Sequence, residues 1–114
     1  MHGIVSSLRN SKLFRSVAVI ELIDEETVKL INIQAEVTDG SILFLTELHT
    51  PTYQKYSYHW QTEDGRLLVR WDNSPHWKDM KIFPNHKHLG TTVTPSPRAD
   101  VDDVIATIRE HVNK

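Results

Sequence analysis

No cysteine occurs among the 114 residues. That removes disulfide scaffolds, thiolate zinc sites and cysteine nucleophiles together, and it is compatible with a reducing cytoplasm. Long apolar runs are missing as well. None is longer than Val17-Ala18-Val19-Ile20, which stops at Glu21, far short of the ~20 residues that span a bilayer. No basic segment precedes an apolar one at the start, so nothing reads as a secretory signal. Internal repeats and low-complexity stretches are also lacking. What remains is the composition of one soluble domain over residues 1–114, 39% hydrophobic and 25% charged.

Charge is unevenly placed. Residues 1–65 hold five Lys or Arg against nine Asp or Glu, whereas residues 66–98 hold six against two. Three of the seven histidines, His76, His86 and His88, lie in that basic stretch. The net charge of −2 argues against unaided binding to nucleic acid, but a local positive field still steers a polyanion.

Strand-like alternation dominates the middle of the chain. Val17–Ile23, Val28–Thr38, Ile42–His49, Lys55–Gln61 and Arg66–Asp72 are predicted strands, with Ile82–Leu89 a further short one at an edge because of Pro84. Asp39-Gly40 and Asp64-Gly65 read as two-residue hairpin turns. Asp100 is a predicted N-cap, and Val101, Val104, Ile105, Ile108 and Val112 form a helical stripe behind it. Ile4, Val5 and Leu8 suggest a shorter helix at the start. The expected fold is α+β: an antiparallel meander of five to six strands, a short N-terminal helix and an amphipathic C-terminal helix.

Two-residue loops imply definite neighbours. In the second hairpin Tyr58 faces Trp71 and Trp60 faces Val69 on an apolar side shared with Leu67. The other side then sets Ser57 against Asp72, His59 against Arg70, and Gln61 against Leu68. In the first, Ala35 faces Phe44, Ile33 faces Thr46 and Ile31 faces Leu48 on the core side, with Asn32 against Glu47 outside. A tight turn at Glu25-Glu26 would add Ala18, Ile20 and Leu22 to the core and Glu21 to the polar side.

Three blocks carry the chemistry: Tyr56-Ser57-Tyr58-His59-Trp60, Arg70-Trp71-Asp72-Asn73-Ser74-Pro75-His76, and Phe83-Pro84-Asn85-His86-Lys87-His88. Together they resemble the YSYHWQ, RWDNxPHH and FPHHKH segments of TumE-type proteins, the toxins of TumA/TumE toxin–antitoxin pairs. The resemblance runs from about residue 13 to the C-terminal helix. Trp77 and Asn85 depart from it, each standing where a histidine is common, which leaves His76, His86 and His88 as the imidazoles of that region. The resemblance implies a growth-inhibiting toxin neutralised by a helix-turn-helix antitoxin, with ribonuclease activity the usual expectation.

The residues permit metal-independent RNA cleavage on their own terms. Such a reaction needs a base, an acid and a cation for the charged phosphorane. Histidine titrates near neutrality, and arginine is a permanent planar cation. The expected catalytic set is His59, Arg70, Asp72, His86 and His88. Arg70 stabilises charge, His59 with His86 or His88 moves protons, and Asp72 orients an imidazole. The expected RNA contacts are Lys78 and Lys87 to phosphates, Tyr56 or Trp77 to an unpaired base, and His76. No cofactor is expected. The alternatives are a non-enzymatic inhibitor or interaction module, and a metal-dependent hydrolase with His76, His86 and His88 as ligands. The expected partners are RNA, the antitoxin and a second copy of the chain, with no membrane.

Overall fold

The computed structural model describes residues 2–52, 54–73, 86–89, 92–95 and 100–113, of which 2, 86–89 and 92–95 are described as backbone. Helix α1 (His2–Asn10) leads into strands β1 (Phe14–Asp24), β2 (Lys29–Val37), β3 (Ile42–His49), β4 (Gln54–Gln61) and β5 (Leu67–Asp72). Two four-residue strands follow, β6 (His86–Leu89) and β7 (Thr92–Pro95), and then helix α2 (Val101–Val112). The seven strands of the described residues join one sheet in chain order, each antiparallel to the next. This is the expected α+β meander, longer by one strand. The added strand, β7, ends in Pro95 and lies at the edge of the sheet, where a missing N–H does least harm.

The two helices cover one face of the sheet. Ile4 and Leu8 of α1 and Val101, Val104, Ile105 and Ile108 of α2 are buried with the inward residues of β2 to β5. Asp100 caps α2 through a reciprocal capping box with Asp103, and Asp102 and Asp103 sit at the positive end of the helix dipole. Arg109 donates to the Ser11 carbonyl at 3.1 Å, tying the end of α2 to the segment after α1.

Both hairpins turn on three residues, not two. In Thr38-Asp39-Gly40 the Gly40 N–H donates to Val37 O at 2.9 Å, and the Val37 N–H donates to Ser41 O at 2.8 Å. Glu63-Asp64-Gly65 repeats the pattern with Thr62 and Arg66. Gly40 and Gly65 stand at φ +94° and +93°, the left-handed conformation that ends this loop type and that glycine adopts without a Cβ clash.

The extra loop residue has opposite consequences in the two hairpins. In the first it moves the pairing by one place. Ala35 faces Leu43, Ile33 faces Leu45, Ile31 faces Glu47 and Asn32 faces Thr46, correcting the expected Phe44, Thr46, Leu48 and Glu47 partners. Leu43 and Leu45 are therefore the buried hydrophobic residues of β3, while Phe44 is exposed. The slip also keeps Thr46 out of the core and takes Glu47 in.

In the second hairpin the same shift sets Gln61 against Leu67 instead of Leu68. Leu68 then bulges out of the ladder, and beyond it Trp60 faces Val69, Tyr58 faces Trp71, His59 faces Arg70 and Ser57 faces Asp72, as expected. It is Leu68, not Leu67, that packs on the core cluster.

At β1 the expectation fails differently. Val17, Val19 and Leu22 oppose the inward residues Ala35, Ile33 and Ile31, and Ile20 falls at an irregularity after Val19. Ala18, Ile20 and Leu22 are exposed and do not join the core, whereas Phe14 and Val17 pack against it. Glu21 does oppose Asn32 on the polar side.

Candidate functional site

Alternation along β4 and β5 separates their residues by face. Tyr56, Tyr58, Trp60, Val69 and Trp71 turn inward and are buried. Ser57, His59, Arg70 and Asp72 share the opposite face, because directly paired residues lie on the same side of a sheet. The pairing continues into β6, whose backbone sets His88 opposite Arg70 and His86 opposite Asp72. Two rows thus cross three strands, His59–Arg70–His88 and Ser57–Asp72–His86. Residues from three separate sequence blocks meet at one end of the sheet.

Within the first row the ring of His59 has one nitrogen, Nε2, 3.0 Å from Gln61 Oε1, and the edge of Phe44 lies against it at 6.0 Å between centroids. These contacts restrict the rotation of the imidazole. Arg70 Nε lies 3.2 Å from Asp72 Oδ2. The Asp72 side chain is 2% exposed, while that of Arg70 is 40% exposed. The carboxylate therefore pairs with the guanidinium by charge, without an aligned hydrogen bond between these two atoms, and leaves part of it open to solvent. A cation placed beside a buried carboxylate in this way is available to an incoming anion on its open side. Asp72 contacts Arg70 in this arrangement, so its first effect is on the cation.

The strand end is closed by the next residue. Asn73 Oδ1 accepts from the Tyr56 N–H at 2.9 Å and Asn73 Nδ2 donates to the Gln54 carbonyl at 2.8 Å. Asn73 thus clamps the end of β5 to the start of β4, while Asp72 stays in the ladder opposite Ser57.

Tyr56 does not fit its expected role. It is 1% exposed and stacks on Tyr58 in the core, with 5.1 Å between centroids, so no base can reach its ring. Lys87 is placed by its backbone opposite Trp71. His76, Trp77 and Lys78 lie outside the described residues. So does one member of the alternative metal triad of His76, His86 and His88. Among the described residues no group of three His, Asp or Glu is arranged to hold a metal ion.

A model of the family described as Toxin TumE matches residues 4–113. The chain belongs to the TumE toxin family. No curated protein and no solved structure matches it. The TumE match spans nearly the whole sequence, both hairpins and both helices included, so the two cross-strand rows lie inside the region that defines membership. Among the described residues of this TumE-family chain, no helix is long and apolar enough to cross a membrane.

A second polar group lies on the helix-covered side and escaped the reading of the sequence. Glu47 is buried, accepts from Tyr58 Oη at 2.6 Å through Oε2, and has His49 Nε2 3.0 Å from Oε1. Together with Ile4, Lys29, His49, Asp100 and Val101 it lines a cavity of about 350 Å³. The available signal was the position of Glu47 in alternation with Leu43 and Leu45, visible only once the three-residue loop is known.

Proposed function

We propose that this TumE-family chain is the toxin of a toxin–antitoxin pair and acts as a metal-independent endoribonuclease in the cytoplasm. Its antitoxin partner is of the helix-turn-helix type. The observation that supports the chemistry is the pairing of His59 with a partly exposed Arg70 anchored by buried Asp72, beside the backbone of a strand that carries His86 and His88.

In this reading one imidazole takes the proton of a ribose 2′-hydroxyl. The O2′–P bond forms as the P–O5′ bond breaks, and a second imidazolium returns a proton to the departing 5′-oxygen. The products are a 2′,3′-cyclic phosphate and a free 5′-hydroxyl. His59 is one of the two imidazoles, and His86 or His88 is the other. Positioned acid–base groups contribute about 10²–10⁴-fold each. Arg70 binds the phosphorane oxygens, a task for a planar permanent cation. Lys78 and Lys87 contact flanking phosphates, His76 contributes to substrate binding, and Trp77 is the platform for an unpaired base.

The test is incubation of the purified protein with total RNA, with and without a chelator. Cleavage that survives chelation and yields cyclic phosphate ends is expected, with loss on His59→Ala or Arg70→Ala. Cleavage abolished by chelation, or undiminished in both variants, overturns the mechanism. Growth arrest without any RNA cleavage overturns the enzymatic reading in favour of inhibition by protein contact.

A further inference from the structure

We propose that β1 is the seam of a two-fold symmetric homodimer, in which the β1 strands of two copies pair antiparallel and continue the sheet across both. This inference does not rest on the ribonuclease reading. β1 stands at one end of the strand order and pairs only with β2 among the described strands. Its outer backbone edge is a template for another strand.

Exposed apolar surface concentrates on the same strand. Of the large hydrophobic residues exposed among the described residues, Val19 (42%), Ile20 (59%) and Leu22 (52%) all belong to β1, with Phe44 the remaining one. Exposed edges are commonly protected by proline, by lysine, by a charge turned inward or by a β-bulge. β1 contains no proline and no lysine, and its stretch from Ser16 to Ile20 carries no charge. Its irregularities after Phe14 and Val19 leave Ser16–Val19 and Glu21–Asp24 as regular segments.

The charges on β1 select the occupant. Arg15 lies near its start, and Glu21 and Asp24 lie at its end, with an apolar run between. Antiparallel pairing of two copies sets the basic end of each strand against the acidic end of the other and the apolar run against itself. Parallel pairing would set like charges together. The strand is thus complementary to itself in one orientation, as a two-fold interface requires. Arg15 already reaches Glu36 Oε1 at 3.3 Å and the Thr38 carbonyl at 2.7 Å, yet its side chain stays 56% exposed. The seam lies at β1, with β2 and β3 between it and the His59–Arg70 row.

Sedimentation of the purified full chain tests the proposal. A dimer is expected that dissociates at least tenfold more readily with Leu22→Lys, while far-UV circular dichroism stays unchanged. Arg15→Glu weakens the dimer likewise, and adding Glu21→Arg to it restores association. The absence of cysteine gives a second measurement. Val19→Cys, next to the two-fold axis, forms an intermolecular disulfide on mild oxidation, whereas Ser6→Cys on α1 does not. A wild-type chain that remains monomeric at about 100 µM, or a dimer indifferent to Leu22→Lys and uncrosslinked through Val19→Cys, overturns the proposal. Association that appears only with an added antitoxin overturns it too.

Discussion

Tyr58 Oη lies 2.6 Å from Glu47 Oε2 on the helix-covered side of the sheet, joining β4 to β3 beneath the helices. Both residues are buried, so removing the hydroxyl takes a partner from Glu47 Oε2. Tyr58→Phe is expected to lower stability by about 1–3 kcal/mol, the cost of removing a partner from a buried charged acceptor. Chemical denaturation measures it. An unchanged midpoint would show that Glu47 is satisfied without Tyr58.

Gly40 and Gly65 carry the positive φ that closes each three-residue loop. Gly65→Ala meets no atom within 4 Å, so any loss reports backbone conformation alone. The expected cost is about 1–2 kcal/mol. Gly40→Ala adds a contact at 3.2 Å with the Glu63 side chain, whose flexible end can move, so a similar cost is expected. The two midpoints in urea test this. An alanine variant as stable as wild type would mean that the loop relaxes to another form.

Asp39 links stability to acid. Burial opposes its ionisation, but hydrogen bonds from the side chain and backbone of Ser41 and the charge of His111 outweigh it, holding the carboxyl below its ordinary value of 3.8. A depressed carboxyl stabilises the folded state above its unfolded value, and the effect is lost as pH falls through the lower folded one. Asp39→Asn is therefore expected to be less stable than wild type at pH 5 to 6, with the gap narrowing below about pH 4. Melting temperatures across that range measure it. A gap that stays constant into acid would remove the linkage.

Arg70 offers a sharper test of the proposed chemistry than simple truncation. Arg70→Lys preserves charge but not the planar fork, so RNA cleavage is expected to stay about 10²-fold or more below wild type. Asp72→Asn frees the guanidinium from its buried anchor and is expected to reduce both cleavage and stability, the latter by about 1–3 kcal/mol. Rate and denaturation midpoint are read on the same preparations. Full cleavage by Arg70→Lys would mean that any positive charge suffices there.

The sequence carried the outline of this fold because alternation and capping are local. Asp100 and the apolar stripe behind it form α2 as expected, and the aromatics of β4 and β5 go inward. Register is not local in that sense. Asp-Gly suits a two-residue and a three-residue loop alike, and only hydrogen bonds such as those between Val37 and Ser41 distinguish them. In the first hairpin the observed pairing differs from the expected one by one residue, and Glu47 faces the core. In the second the extra loop residue is offset by the bulge at Leu68, and His59 meets Arg70 as expected. Tyr56 sits in the alternation of Tyr58 and Trp60, a sign of burial stronger than the nearness of an aromatic ring to a basic segment.

Leu68 is the offset between two periods. Were it paired in the ladder, with the loop unchanged, Leu68 would face Trp60, Val69 would face His59 and Arg70 would face Tyr58, and the guanidinium would turn toward the buried rings. Deleting Leu68 outright removes only the bulge and leaves His59 opposite Arg70. Shortening by one residue there should therefore spare this face, whereas an added residue has no second bulge to absorb it.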